Sequence, residues 1–277
     1  MTPYHWKGFC TVHLEYTIID PTKNITLLVT TPVPRAAQVR AAEYLLHREK
    51  KAEQVAFLEF SPSGGKRLQM MGGEFCGNAT MAYGAWLCRQ DHLDHGETAD
   101  LLLEVSGTRE AVPCSVTAVR DSYLGTVTMP LPEKAETMDF DGRSLGVVHL
   151  PGICHIIAPA GDIPEAEAES LLRRWSARLP GEAAGLLLLD EASMSMKPLV
   201  YVKATDSMVW ENGCGSGSAA VGAWLTKRRG GPQCISLHQP GGVISIVTTA
   251  DGSRLTGLTI TGVVKIGRSA CAELPAD

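Results

Sequence analysis

Two segments of this chain share one pattern: a cysteine, a glycine, and then a run of small residues that contains Gly-Ala-Trp-Leu. Cys76 precedes the copy at 84–87, and Cys214 precedes the copy at 222–225, with the same spacing in both. About half of the 277 residues separate the two cysteines. Because the chain has only five tryptophans, such a match in the same register would rarely arise by chance. The repeat predicts two similar halves, each with one cysteine at the start of a helix.

The rest of the pattern predicts a strand-rich chain with few helices. Helical spacing predicts helices over 35–50 and 164–179, besides the two cysteine helices, which we expect to end near Gln90 and Arg229. Strands are predicted over 11–19, 25–30, 54–60, 66–71, 101–106, 111–119, 123–129, 144–150, 155–158, 185–190, 199–204, 234–239, 243–249 and 258–266. Since hairpin turns are frequent and strands alternate irregularly with helices, we expect an α+β fold with mixed or antiparallel sheets.

A proline-rich stretch at 130–134 lies near the midpoint that the repeat predicts, and we interpret it as a linker. We therefore expect an N-terminal half, 1–132, that carries Cys76, and a C-terminal half, 133–277, that carries Cys214. Each half would wrap a sheet around its central helix, with the functional site in the cleft between them. The last strand is a candidate to return to the first half.

Charge and cysteine usage narrow the class of protein. A net charge of −5 argues against a nucleic-acid partner, and no apolar run is long enough to span a membrane. With no secretory signal in view, we expect a cytoplasmic protein. None of the eight cysteines forms a Cys-x-x-Cys pair, so we expect neither a disulfide framework nor a metal, and no motif suggests a cofactor. Six cysteines are expected to be core residues: Cys10, Cys88, Cys114, Cys154, Cys234 and Cys271.

A cysteine at a helix N-terminus is suited to acid–base chemistry. The free N–H groups and the partial positive charge there lower the pKa of a thiol, and the thiolate is the reactive form. The same N–H groups can hold a substrate carboxylate. We expect four turn residues to bind it: Gly77, Asn78, Gly215 and Ser216.

Two matched cysteines on opposite faces of one carbon could invert that carbon. One of them, Cys76 or Cys214, would act as a thiolate and remove the Cα proton, and the other would act as a thiol and reprotonate the opposite face. The two would exchange roles in the reverse reaction. The pattern therefore indicates a racemase or epimerase that acts on a small-molecule amino acid.

Three motifs resemble those of one enzyme family: Glu-Phe-Cys-Gly-Asn-Ala at 74–79, Cys-Gly-Ser-Gly at 214–217 and Gln-Pro-Gly-Gly at 239–242. They are similar to the cofactor-independent amino-acid racemases of the diaminopimelate epimerase fold, which include diaminopimelate epimerase and, more distantly, proline racemase. The resemblance covers most of the chain and extends in particular to histidine racemases of opine-type, staphylopine-like metallophore pathways. It implies the pseudo-symmetric fold and no cofactor. The further residues that it places in the site are Asn24, Glu53 with the adjoining Gln54 and Val55, and His155.

The segment just before the second cysteine narrows the choice of amino-acid substrate. Diaminopimelate epimerase has a longer loop there with Glu-Arg-Gly, whereas here Glu211 is followed by Asn212 and soon by Cys214. An arginine would grip a distal carboxylate, so its absence leaves Glu211 for an imidazole or an α-ammonium group. This favours histidine as the substrate of a racemase, and the resemblance implies that its D-histidine supplies an opine-type metallophore. Diaminopimelate epimerase, a proline or hydroxyproline racemase, and a thiol redox or metal-binding protein stay as alternatives, and a homodimer is left open.

Overall fold

The computed structural model describes residues 11–61 and 64–275. In this part of the chain, 16 strands form one curled sheet that encloses two of the four helices. The first part consists of β1 (Thr11–Pro21), β2 (Thr26–Val29), α1 (Arg35–Arg48), β3 (Gln54–Phe60), β4 (Lys66–Met70), α2 (Gly77–Gln90), β5 (Thr98–Leu103), β6 (Val112–Val119) and β7 (Ser122–Thr128). The second part consists of β8 (Lys134–Phe140), β9 (Arg143–Leu150), β10 (Ile153–Pro159), α3 (Glu165–Ser176), β11 (Ala183–Asp190), β12 (Ser195–Val202), β13 (Ser207–Trp210), α4 (Gly215–Arg229), β14 (Cys234–Gln239), β15 (Gly242–Asp251) and β16 (Arg254–Pro275).

The second part repeats the path of the first. β2 pairs in parallel with β3 across α1, and β10 pairs in parallel with β11 across α3, while most other neighbours are antiparallel. In each part the cysteine helix follows next: α2 packs against β6, β7 and β16, and α4 packs against β9, β15 and β16. The structure thereby confirms the predicted α+β fold, with two similar halves and mixed sheets around central helices.

The repeated Gly-Ala-Trp-Leu segments have a packing role. A Cβ added at Gly84 of α2 would lie 3.0 Å from the Sγ of Cys114 on β6. A Cβ added at the matching Gly222 of α4 would lie 2.6 Å from the Cγ2 of Ile246 on β15. Glycine therefore lets each helix approach its sheet closely, and the apolar side chains around both helices form the largest core cluster.

β16 joins the two parts of the sheet. It pairs with β15 and with β7 over its first half, and then with β1 in the register Thr11↔Pro275 to Pro21↔Val264. The predicted strand 258–266 is therefore too short at both ends. Near the end of β16, Ala272 and Leu274 are buried in the core cluster beneath α1.

Two strands were missed from the sequence, and two cysteines were misplaced. Among the described residues β8 pairs with β9 alone and β13 with β12 alone, so their mixed polar sequences bury few side chains and lack a clear alternation. The expectation that Cys234 and Cys271 are core residues is wrong, because both are exposed on strand faces that point to solvent. Cys88, Cys114 and Cys154 are buried, and Cys10 lies outside the described residues. No described helix is long and apolar enough to cross a membrane.

Candidate active site

Cys76 and Cys214 occupy the same position on their two helices. Each is an N-cap with an extended backbone, at φ −130° and ψ 113° for Cys76 and φ −103° and ψ 106° for Cys214. The sulfur of Cys76 accepts a hydrogen bond from the Ala79 N–H at 3.4 Å, and that of Cys214 accepts one from the Gly217 N–H at 3.2 Å. Each sulfur thus accepts the hydrogen bond that the side chain of a capping serine or aspartate would accept, and this bond fixes the sulfur at the first turn of its helix.

The two helix starts meet at a single side chain of β16. A Cβ added at Gly77 or at Gly215 would lie 3.1 Å from the same atom, the Cδ1 of Ile260. Across this junction the Nδ2 of Asn78 donates to the carbonyl of Gly213 at 2.8 Å. The pseudo-symmetric halves therefore bring their cysteine turns together at Ile260.

An amide network surrounds Cys76. Its thiol donates to the Oε1 of Gln54 at 3.3 Å, and the Nε2 of Gln54 donates to the Oδ1 of Asn24 at 2.8 Å. Asn78 donates to the same Asn24 oxygen at 3.0 Å, and its own Oδ1 has no hydrogen-bond partner among the described residues. That bare oxygen would lie 3.2 Å from a Cβ at Gly215, so it faces the start of α4.

Two carboxylates border the network. Glu53 accepts from the Nδ2 of Asn24 at 2.5 Å and from the Nδ2 of Asn212 at 3.0 Å. The carboxylate of Glu211 interacts with the thiol of Cys214 and, more weakly, with the charge of Glu53. Burial raises the pKa of Glu211 to about 7, so this side chain exchanges a proton near neutral pH.

Polar partners on the second half hold Cys214. Its backbone N–H donates to the Oε1 of Gln239 at 2.7 Å, and the Nε2 of Gln239 donates to the Oγ of Ser218 at 2.8 Å. The Oγ of Ser216 lies 3.5 Å from the sulfur and 2.9 Å from the Nε2 of His155. His155 is fully buried, so the structure places it behind Ser216.

The expectation that the helix N-terminus lowers the pKa of both thiols is wrong for this ligand-free structure. Burial raises the pKa of Cys76 to about 12 and that of Cys214 well above its usual value. The N–H groups of Ala79 and Gly217 act in the opposite direction, but with a smaller effect. The charge of Glu74 raises the pKa of Cys76 further, and the charge of Glu211 raises both pKa values. Desolvation therefore outweighs the helix, and forming a thiolate here requires help from the surrounding residues.

Two residues of the site, Asn212 and Gln239, were missed as site residues, and Gln54 was indicated only by the family resemblance. Gln54 follows Glu53 at the start of β3, and Gln239 ends β14 before a Pro-Gly-Gly turn. A glutamine at a strand end gives no chemical signal by itself, because solvent satisfies most such side chains. Only the contacts with Cys76 and with the backbone of Cys214 distinguish these two.

Comparison with known proteins places the chain in a family. The family model described as "Histidine racemase CntK N-terminal domain" matches residues 13–272. A histidine racemase of Fusobacterium nucleatum is 30% identical over 269 residues, which cover 92% of this chain and 97% of the relative. A histidine racemase of Staphylococcus aureus is 28% identical over 249 residues, which cover 85% of this chain and 88% of the relative.

Solved structures share the fold at low sequence identity. A PhzF-family phenazine biosynthesis protein of Bacillus anthracis has a TM-score of 0.66 and 14% identity, and covers 94% of this chain and 99% of its own. A hydroxyproline epimerase of Agrobacterium vitis, with bound trans-4-hydroxy-L-proline, has a TM-score of 0.66 and 11% identity, and covers 97% and 94%. At these identities the likeness shows the fold alone.

Proposed function

We propose that this chain, which belongs to the histidine racemase family, interconverts L- and D-histidine with two cysteines and no cofactor. It is an isomerase of the amino-acid racemase class. The observation that supports a two-cysteine mechanism is the matched placement of Cys76 and Cys214 as N-caps of α2 and α4, whose first turns meet at Ile260. Two like groups related by pseudo-symmetry can address the two faces of one Cα.

The proposed reaction moves one proton off Cα and another onto it. One sulfur, as a thiolate, takes the Cα proton, and the thiol on the other side gives its proton to the opposite face. We propose that Cys214 becomes a thiolate by passing its proton to Glu211, whose carboxylate interacts with the thiol. The substrate carboxylate would bind at the helix starts, through the backbone of Gly77, Asn78, Gly215 and Ser216.

The two carboxylates at the edge of the amide network favour a substrate that has an additional group bearing N–H. Glu53 and Glu211 supply two acceptors, and Asn24 and Asn212 hold Glu53 in place. Asn212 occupies the position after Glu211 and is engaged with Glu53, so the site offers no arginine there for a distal carboxylate. An α-ammonium group and an imidazole together match two acidic acceptors better than a second carboxylate does.

Several wider assignments belong to the same proposal. We take the halves as 1–132 and 133–277, with the site between them. We also propose a cytoplasmic enzyme whose D-histidine enters an opine-type metallophore, and a homodimer is compatible with it. The family membership of the chain supports the metabolic assignment.

The test is proton exchange at Cα. L-histidine incubated with the enzyme in D2O should lose its Cα–H signal in proton NMR while D-histidine accumulates. A panel with diaminopimelate, proline and hydroxyproline measures specificity, and the exposed-cysteine variant Cys234→Ala serves as a matched control. If the fully reduced enzyme does not exchange the Cα proton of L-histidine, the proposal is refuted. A bound-metal assay and a thiol count address the redox or metal-binding alternative.

A further inference from the structure

Asn78 and Ser216 occupy matched places, two residues after each cysteine, but they make different contacts. Asn78 donates to Asn24 and to the carbonyl of Gly213, and no contact links it to the sulfur of Cys76. The Oγ of Ser216 instead lies 3.5 Å from the sulfur of Cys214. Within the described residues, a hydroxyl group therefore touches only one of the two capping thiols.

The hydroxyl of Ser216 has a buried histidine as its second neighbour. The Nε2 of His155 lies 2.9 Å from the Oγ, and the ring is fully buried. Burial lowers the pKa of His155 to about 3, so the ring is neutral at physiological pH and carries one N–H. Which nitrogen carries that hydrogen decides whether Ser216 donates to the imidazole or accepts from it.

The other ring nitrogen indicates the tautomer. The Nδ1 of His155 has no hydrogen-bond partner among the described residues. It faces Gly185, its register partner on β11, where a Cβ would lie 2.1 Å away, so the missing side chain makes room for the ring. A buried N–H without an acceptor is rarer in proteins than an unsatisfied acceptor. The proton therefore belongs on Nε2, which donates to Ser216.

The proton directions around Cys214 are then consistent. The carboxylate of Glu211 raises the pKa of Cys214, both by its charge and as an acceptor for the thiol hydrogen, so the thiol does not need Ser216 as its acceptor. Gly217 donates its N–H to the sulfur at 3.2 Å. Because the Oγ of Ser216 already accepts from His155, its own hydrogen is free to point at the sulfur.

We propose that His155 is a positioning residue that fixes the hydroxyl of Ser216 as a hydrogen-bond donor to the sulfur of Cys214. This inference rests on the proposed two-cysteine mechanism. It makes His155 a partner of Ser216, whereas the family resemblance implies that His155 contacts the substrate. When Cys214 loses its proton, the preset hydroxyl and the Gly217 N–H stabilise the thiolate without reorganisation. Cys76 has an amide acceptor, Gln54, in place of a hydroxyl donor, so the two thiols are unequal.

The tautomer can be measured directly. Protein labelled with 15N-histidine, with His155 assigned by its loss in His155→Gln, should show a protonated Nε2 and a bare Nδ1. The resonance should not titrate between about pH 5.5 and 8.5, because the ring is buried and neutral. A proton on Nδ1, or a ring that titrates in this range, would overturn the proposal. The tautomer itself is read from the wild-type protein, and the variant serves only to assign the resonance.

Kinetics test whether His155 acts through Ser216. Ser216→Ala and His155→Leu should each lower kcat about 10- to 100-fold, as expected for the loss of one hydrogen bond to a charged group. The double variant should be no slower than either single variant, because both changes break the same chain. His155→Gln, whose amide can still donate to Ser216, should recover much of the rate that His155→Leu loses. Losses that multiply in the double variant would show that His155 only packs.

The two proposals can fail separately. If wild-type enzyme racemises histidine while the Nε2 tautomer or the non-additivity is absent, the two-cysteine proposal stands and the role of His155 falls. If the tautomer is as expected but no amino acid in the panel exchanges its Cα proton, the function falls and the assignment of the buried ring remains correct.

Discussion

Replacing Glu211 with glutamine should make the protein more stable and much less active. Burial raises the pKa of Glu211 from 4.5 to about 7, so the folded protein holds this proton more tightly than the unfolded chain does. The folded state is therefore favoured below about pH 4.5, and it loses that advantage as the pH rises through about 7. A glutamine keeps the acceptor oxygen but has no charge to desolvate.

The size of the effect follows from the shift. A pKa raised from 4.5 to about 7 corresponds to about 3 kcal/mol at pH 8, and partial solvent contact of the side chain reduces this to about 2 kcal/mol. For a chain of this size Glu211→Gln should raise Tm by roughly 5 °C at pH 8 and leave it unchanged near pH 4.5. Losing the proton acceptor of Cys214 should lower kcat/KM by about 10²- to 10⁴-fold.

The assay is thermal unfolding of wild type and variant from about pH 4.5 to 8.5, together with racemisation followed by circular dichroism. Glu169→Gln is the matched control, because it removes one carboxylate from the exposed face of α3 beyond the first turn, where the helix dipole acts weakly. Its Tm should follow that of wild type at every pH. If the wild-type and Glu211→Gln curves stay parallel across this range, Glu211 is not a desolvated carboxylate and cannot be the proton acceptor that we propose.

Two further predictions concern the cysteines and the packing of α4. Cys76→Ala and Cys214→Ala should each abolish racemisation, while Cys271→Ser, on an exposed strand face, should keep it; measurable racemisation by either alanine variant would contradict the two-cysteine mechanism. Gly222→Ala should destabilise the fold by about 1–3 kcal/mol in denaturant unfolding, because its Cβ would lie 2.6 Å from Ile246 on β15. An unchanged midpoint would mean that α4 moves away from the sheet without cost.

The local sequence pattern was sufficient to predict the helices that carry the repeat. The helices after Cys76 and Cys214 end where their apolar spacing ends, and β3 has the bounds that its composition predicts. β8 and β13 were missed because each pairs with one described neighbour only, so half of each strand faces water and shows no alternation. A strand is predictable when burial imposes a period on its sequence, and edge strands are under little such constraint.

The site was predictable as a pair of residues but not as an environment. Glycine and cysteine at a helix start are visible in sequence, and the starts of α2 and α4 both lie at Ile260. The direction of the thiol pKa shift was not visible, since it depends on how much of the sheet and of Glu211 surrounds each sulfur. The depth of His155 depends in the same way on Gly185, a residue on another strand that no pattern near His155 reveals.

Thermodynamics limits the kinetic effect that the unequal surroundings of the two thiols can have. Free L- and D-histidine have equal free energies in water, so the equilibrium constant of the reaction is unity, and kcat/KM must be the same in both directions. Glu211, Ser216 and His155 on the side of Cys214, and Gln54 on the side of Cys76, therefore cannot favour one enantiomer in kcat/KM. Their asymmetry can appear only in how kcat and KM divide for each enantiomer, and in how fast each thiol exchanges its proton with solvent. Variants that remove the Cys214 partners should change the balance of kcat and KM more for one enantiomer than for the other, while the two values of kcat/KM fall by the same factor.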